Sequence, residues 1–241
     1  MRKTIILLAS IVAVAFSLPA AAQNVKLHDQ VLSVTAQLNE NCSASLIYSD
    51  RDKTTGDVKS VLLTAGHCVE GAIGKDMVVD FPVYQGNRIV KKERYIGRAV
   101  GKYYKADLAL IELKDKQTYF SKVAKLAPEK PVIDMGDEVY TVGYPLGMGL
   151  TITSGMFGAI ETNDYAKDGQ EYYRATPAIA GGNSGGALYQ VSASGDYLLL
   201  GVTTAVARGN PHIGYYTPIT DIREYLRYAL AASVPVVKSA R

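Results

Sequence analysis

The chain has 241 residues, of which 26 are Lys or Arg, 23 are Asp or Glu and 3 are His, giving a formal net charge of +3. This near-balance gives no electrostatic reason to expect a nucleic acid or a membrane surface as a partner. The length is ample for a sizeable core, arranged as one β-barrel unit or as two small ones packed together.

The first segment, residues 1–22, is typical of an export signal. Arg2 and Lys3 supply a positive end, an apolar run extends to Leu18, and three alanines then form a small-residue cleavage site. An uncleaved anchor is the alternative, but the apolar run is shorter than the roughly 20 residues that a spanning helix needs. The sequence therefore predicts an exported protein, periplasmic or secreted, with no membrane partner after cleavage.

Alternating apolar and polar residues recur along the rest of the chain and predict short β-strands separated by turns. Ten runs are predicted, at 31–38, 44–48, 58–63, 77–84, 108–113, 138–142, 151–160, 171–176, 197–206 and 213–216. A basic group, Arg88, Lys91, Lys92 and Arg94, is interpreted as the solvent-facing side of a further strand. Many short strands with regular turns indicate an all-β sandwich or barrel.

Near the C-terminus, apolar residues recur at helical spacing and predict one amphipathic helix. These residues are Ile222, Tyr225, Leu226, Ala229 and Leu230. Thr220 or Asp221 is the predicted cap. We expect a structural helix docked on a barrel rather than a helix for a membrane or a partner.

The cysteines, Cys42 and Cys68, are the only two in the chain. Because export leads to an oxidising compartment, two cysteines suggest one disulfide. Pairing between two molecules and a pair of free thiols are the alternatives. Neither a zinc-type cysteine spacing nor a ladder of carboxylates for calcium is present, so we predict no metal and no cofactor.

A serine within a glycine-rich loop is the first sign of catalytic chemistry. Ser184 lies in residues 181–186, just ahead of an apolar strand start. Glycines permit positive φ angles and a close approach of ligand to backbone. Ser184 could therefore act as a nucleophile, with the N–H groups of Gly182 and Ser184 as an oxyanion hole. A plain turn is the alternative.

Two further residues accompany this serine upstream. His67 ends an apolar run, and Asp107 opens another. Each alone is more often a structural residue. In the order His, Asp, Ser they fit a triad in which the histidine is the base and a buried aspartate selects its tautomer.

The three segments resemble the trypsin-like, chymotrypsin-fold serine peptidases. The family motifs stand here as TAGHC at 64–68, DLAL at 107–110 and GNSGG at 182–186. The stretches VGYPLG at 142–147 and GYYTPI at 214–219 are similar to the Deg/HtrA branch.

This resemblance implies an all-β fold of two packed six-stranded Greek-key barrels, with the active site in the cleft between them. The expected barrels are 23–128, carrying His67 and Asp107, and 129–241, carrying Ser184 and the C-terminal helix. It further implies a serine endopeptidase with protein or peptide substrates and a bridge between the two cysteines. We expect no PDZ module, and the oligomeric state is not predicted.

Family positions also imply a substrate pocket at Ala178, Thr203, Thr204 and Ala205. Ala178 stands where trypsin-type enzymes carry an acidic pocket floor, so we expect a small or hydrophobic side chain before the scissile bond. His212 would instead favour acidic side chains if it reached the pocket. Thr204 is the expected support for the aspartate, with Thr203 as the competing assignment.

The sequence leaves two rival functions open. An α/β-hydrolase esterase would use Ser184 with Asp196 and His212, in the chain order that its fold requires. A binding module on an inactive protease scaffold is the non-enzyme alternative. Asn183 replaces the acidic residue of trypsin-type zymogens, so we expect no activation by a newly cut N-terminus.

Overall fold

The structure is a computed structural model that describes residues 20–162 and 169–233, with side chains for 24–162 and 169–229. Within these residues the helices are α1 (Ala20–Leu27) and α2 (Ile219–Ser233). The strands are β1 (Thr35–Leu38), β2 (Cys42–Arg51), β3 (Val58–Ala65), β4 (Asp76–Gln85), β5 (Arg88–Tyr103), β6 (Leu108–Leu113), β7 (Glu138–Gly143), β8 (Thr151–Thr162), β9 (Glu171–Ala175), β10 (Ala187–Val191), β11 (Tyr197–Ala207) and β12 (Asn210–Pro218).

The strands form two closed antiparallel barrels of six strands each. The first has the order β1-β2-β3-β6-β5-β4, and the second has the order β10-β11-β12-β9-β8-β7. Each barrel closes when its outer strands pair, β1 with β4 and β7 with β10. Closure removes the open edge strands that a flat sheet would expose. The predicted all-β, two-barrel fold is confirmed.

Burial along β3 shows how the barrels pack on each other. Its first half alternates, with Val58 buried and Lys59 exposed, as expected for a strand with one face in a barrel core. Its last four residues, ending at Ala65, are all buried. The outer face of this end is therefore covered by the rest of the molecule, and the β3 end lies in the interior, next to the site described below.

A segment without regular structure, residues 114–137, connects the barrels. The Ala124 N–H donates to Leu46 O in the first barrel, at 2.7 Å, and the Ala127 N–H donates to Leu199 O in the second, at 2.9 Å. The predicted domain boundary at 128/129 falls inside this segment and stays a prediction.

The N-terminal part of the chain differs from the sequence-based prediction of a strand over 31–38. A π-helical turn, His28–Leu32, follows α1, and the strand begins only at Thr35. Val31 and Val34 are both fully buried at a spacing of three residues, which is a helical rather than a strand spacing. The run therefore predicted burial correctly but the local structure wrongly.

Two more outcomes concern the ends of the chain. Helix α2 is confirmed, and Ile222 and Tyr225 are buried on its inner face. The helix begins at Ile219, so Thr220 and Asp221 lie in its first turn and the predicted cap is wrong. Most of the predicted export signal, residues 1–19, lies outside the described residues. None of the described helices is long and apolar enough to cross a membrane.

Candidate active site

His67 and Asp107 are brought together by the pairing of two neighbouring strands. β3 and β6 run antiparallel with Ala65 opposite Leu108, so the end of one lies beside the start of the other. His67 lies in a 3₁₀ turn directly after β3, and Asp107 directly precedes β6. The Gly66 N–H donates to Asp107 O at 2.7 Å, which joins the two connections.

The Asp107 carboxylate accepts three hydrogen bonds. Oδ1 accepts the backbone N–H of His67 at 2.8 Å, and Oδ2 lies 2.7 Å from His67 Nδ1. Thr204 Oγ1 donates to the same Oδ2 at 2.5 Å. Burial works to raise the pKa of Asp107, but the hydrogen bonds from His67 and Thr204 outweigh it and hold the pKa below the ordinary value.

The ionised carboxylate also settles the tautomer of the histidine. A carboxylate only accepts hydrogen bonds, so the contact with Asp107 requires a proton on His67 Nδ1. In the neutral imidazole, Nε2 is then left as an acceptor. The imidazole can therefore take up a proton at Nε2, on the side away from Asp107.

Of the two threonines considered for support of the aspartate, Thr204 makes the contact. Thr203 is 2% exposed, and its hydroxyl has no hydrogen-bond partner among the described residues. The register of β11 against β12 shifts between Thr203 and Ala205. Such an irregularity changes which way successive side chains point, and a sequence pattern does not reveal it.

Ser184 is half-buried in the loop before β10. Its carbonyl accepts the Ser43 N–H at 2.8 Å and lies 3.6 Å from Cys68 Sγ, a contact of the residue that follows His67. No hydrogen bond joins Ser184 Oγ to another side chain within the described parts of the chain. The motif at 64–68, which contains His67, thus lies beside the motif at 182–186, and the Ser184 hydroxyl has no side-chain partner among the described residues.

The loop around Ser184 requires glycine at two positions. Gly182 has a φ of 96°, and a Cβ there would overlap Tyr144 O. Gly185 has a φ of 81°, and its Cβ would overlap Thr64 Oγ1 and Ser43 O. Any side chain would push this loop away from both barrels.

The backbone N–H groups of residues 182–185 divide into two sets. Asn183 donates to Ala180 O, and Gly185 donates to Thr203 O, at 3.1 and 2.8 Å. In contrast, the N–H groups of Gly182 and Ser184 donate to no group in the described residues. These are the two predicted oxyanion donors.

Around the predicted pocket, Ala178 is half-buried and Ala205 is exposed. The residue that follows Ala178, Ile179, is 4% exposed and packs against Gly214, where a Cβ would lie 2.9 Å from its Cδ1. His212 is exposed, and its backbone N–H donates to Asn210 Oδ1 at 3.0 Å.

Cys42 and Cys68 form the predicted disulfide, with an S–S distance of 1.98 Å. Their sulfur atoms cluster with the ring of His67 closely enough to suggest a metal site. Both sulfurs are in the disulfide, however, and a metal requires thiolates. The bridge therefore braces the histidine turn and offers no metal ligand.

The rival catalytic set does not form. Asp196 is bound by Lys26, Gln30 and Lys125, at 2.9, 3.0 and 3.2 Å. In the part of the chain that the structure describes, Ser184 is followed by strand β10, whereas the nucleophile of an α/β-hydrolase lies on a strand-to-helix turn. The esterase alternative is therefore wrong.

Comparison with known proteins gives relatives along most of the chain. A family model described as Trypsin matches residues 24–226. Periplasmic serine endoprotease DegP of Escherichia coli (strain K12) is 29% identical over 169 residues, covering 68% of this chain and 32% of that protein. A probable serine protease do-like of Buchnera aphidicola subsp. Acyrthosiphon pisum (strain APS) is 35% identical over 134 residues, covering 54% and 27%. The chain thus spans less than a third of these relatives.

Solved structures share the fold. The HtrA-type protease AlgW with tripeptide has a TM-score of 0.65 at 23% identity and covers 86% of this chain and 64% of its own. An inactive form of Rv3671c from M. tuberculosis H37Rv has a TM-score of 0.63 at 18% identity, covering 94% and 100%. Because the Trypsin family model matches most of its length, the chain belongs to the trypsin family, and its sequence is similar to periplasmic serine endoproteases of the DegP type.

Proposed function

We propose that the chain is an exported serine endopeptidase that cleaves peptide bonds through His67, Asp107 and Ser184. The observation that carries this proposal is the contact of 2.7 Å between His67 Nδ1 and Asp107 Oδ2, because it leaves Nε2 as a base. The relatives named periplasmic serine endoproteases support both the activity and the export.

In the proposed mechanism, Ser184 Oγ attacks the substrate carbonyl carbon while His67 Nε2 takes the hydroxyl proton. Asp107 stabilises the resulting imidazolium. The substrate oxygen becomes negative and is held by the free N–H groups of Gly182 and Ser184. His67 then gives the proton to the leaving amine, which leaves an acyl group on Ser184. A water molecule then attacks the acyl carbon while His67 Nε2 takes its proton, and the carboxylic acid product leaves as the proton returns to Ser184 Oγ.

The free serine hydroxyl is compatible with this mechanism. Catalytic hydrogen bonds are often long without substrate and tighten only in the complex. For specificity, we propose a small or hydrophobic residue before the scissile bond, because Ala178 puts no charge at the pocket floor.

The experiment compares the purified wild type with Ser184→Ala, using unfolded casein and a peptide phosphonate that labels active serines. Ser194→Ala is the matched control, since Ser194 is exposed and contacts neither His67 nor Asp107. We expect cleavage and labelling in the wild type and in the control, and neither in Ser184→Ala. Casein cut sites then test the pocket.

Two results would overturn the proposal. Cleavage that persists in Ser184→Ala would assign the chemistry to another residue. Folded wild-type protein that is neither labelled nor active would favour the binding-module alternative.

A further inference from the structure

Gly182 is held from both sides by residues outside its own loop. The carbonyl of Gly181 accepts the Leu146 N–H at 2.6 Å. The carbonyl of Gly182 itself accepts a hydrogen bond from Ser43 Oγ at 2.7 Å. The two peptide groups that flank the Gly182 Cα are therefore both anchored.

The first anchor determines where the Gly182 N–H points. The peptide bond between Gly181 and Gly182 is planar and trans, so its C=O and N–H point in opposite directions. Because the C=O is bound to Leu146, the N–H is directed away from that loop. Within residues 182–185 it is one of the two N–H groups that lack a partner in the described part of the chain.

The second anchor is a fully buried hydroxyl with both of its functions in use. Ser43 Oγ accepts the Tyr144 N–H at 2.9 Å while it donates to Gly182 O. The Ser43 N–H also holds the carbonyl of Ser184. One residue of the first barrel thus contacts the carbonyls of both residues proposed as oxyanion donors.

Leu146 occupies a left-handed conformation, with φ 55° and ψ 25°, that a leucine rarely adopts. Its side chain is 70% exposed, so packing of the side chain does not explain this conformation. The next residue, Gly147, fits closely against Glu40 O, and its carbonyl accepts Gln37 Nε2 at 3.3 Å. The first barrel therefore holds this turn in place.

We propose that Ser43 and Leu146 are positioning residues that keep the Gly182 N–H directed into the oxyanion hole. This inference rests on the proposed peptidase function. Without the two anchors, the peptide between Gly181 and Gly182 is free to rotate, and its carbonyl oxygen can take the place of the N–H donor. The hole is then lost although the triad remains.

The test uses Leu146→Val, Leu146→Gly and Ser43→Ala. A β-branched residue is strongly disfavoured at positive φ, whereas glycine adopts it freely and keeps the N–H. We measure kcat and KM with a chromogenic peptide, and the affinity of a peptide boronate whose adduct carries an oxyanion. Circular dichroism at the assay temperature confirms that each variant is folded.

For Leu146→Val and Ser43→Ala we expect kcat to fall about tenfold to a hundredfold, since loss of a whole donor costs about a hundredfold to a thousandfold. KM should stay within about twofold, because the lost interaction forms in the transition state. Boronate affinity should fall in parallel with kcat. Leu146→Gly should retain wild-type values for all three quantities.

Two outcomes would overturn the positioning role of Ser43 and Leu146 while Ser184 is still labelled, so that the proposed peptidase function stands. One is an unchanged kcat in both Leu146→Val and Ser43→Ala. The other is an equal loss in Leu146→Gly and Leu146→Val, which would assign the effect to the leucine side chain. Activity that persists in Ser184→Ala would instead overturn the proposed function, so the two failures are distinguishable.

Discussion

Asp107 has a left-handed backbone conformation, with φ 50° and ψ 48°, between a 3₁₀ turn and β6. Aspartate tolerates this conformation better than most residues. It directs the carboxylate to the backbone and the ring of His67 at once, with Thr204 as the third donor. An aspartate before a strand is usually a cap or a turn residue, and here the same local geometry serves the site.

The first prediction concerns Asp107→Asn. We expect kcat to fall about a thousandfold to ten-thousandfold at neutral pH, because an amide nitrogen turned toward Nδ1 favours the wrong tautomer of His67. Steady-state kinetics with a chromogenic peptide measures the effect. Thr204→Ser keeps the hydroxyl donor and should change kcat by less than about twofold. An Asp107→Asn enzyme within tenfold of the wild type would contradict the proposed role.

The Asp107→Asn substitution should also change how the free energy of unfolding depends on pH. The pKa of Asp107 is lower in the folded protein than its ordinary value of 3.8. Its contribution to stability is therefore present above the unfolded pKa and is lost as the pH falls through the folded pKa. Below about pH 4, the free energy of unfolding should fall more steeply with pH in the wild type than in Asp107→Asn.

Among the structural elements, the turn after β3 depends on the disulfide. The bond joins the first residue of β2 to the residue after His67 and closes a loop with a sequence separation of 26. Such a bond restricts the unfolded chain and also holds the turn beside Ser184 O. The covalent link and the turn that carries His67 are therefore one local unit.

The second prediction follows from this loop. The double variant Cys42→Ala, Cys68→Ala should lose about 3 kcal/mol in the free energy of unfolding, measured by urea denaturation. Dithiothreitol should destabilise the wild type by a similar amount and leave the double variant unchanged. Equal stability of the variant and the oxidised wild type would show that the bond contributes little.

At the scale of the whole molecule, helix α2 and the segment that connects the barrels are joined by hydrogen bonds. Arg223 of α2 donates to Ala127 O from Nε at 2.8 Å and from Nη2 at 2.5 Å. Ala127 is fully buried, and its N–H is bound to Leu199 in the second barrel. The guanidinium therefore satisfies a carbonyl that water does not reach.

The third prediction tests this link. Arg223→Ala should lower the free energy of unfolding by about 1–3 kcal/mol, because the Ala127 carbonyl loses its donors while it stays buried. Arg223→Lys should recover only part of the lost stability, because lysine keeps a charged donor but lacks the planar guanidinium that donates from two nitrogens. Urea unfolding measures both variants, and kcat of the folded protein should not change. A variant as stable as the wild type would show that the carbonyl finds another partner.

The sequence by itself determined the all-β class, the helix α2 and the disulfide pair. These features follow from local periodicity and from a simple count of two cysteines. It indicated only the start of β10, without bounds, and it assigned a strand to residues 31–34, where the spacing of buried residues is helical. Periodicity over so short a run does not separate the two possibilities.

Only the tertiary structure decided which residues complete the site. An irregularity in β11 determines that Thr204, and not Thr203, bonds to Asp107. The packing of the two barrels places Ser43 and Leu146 in hydrogen-bond contact with the peptide groups that flank the Gly182 Cα. Ser43 is 139 residues from Gly182 along the chain, and its contact depends on how two barrels pack. A motif reports the residues that are adjacent in sequence, whereas hydrogen bonds between barrels depend on closure and packing, which have no local sequence pattern.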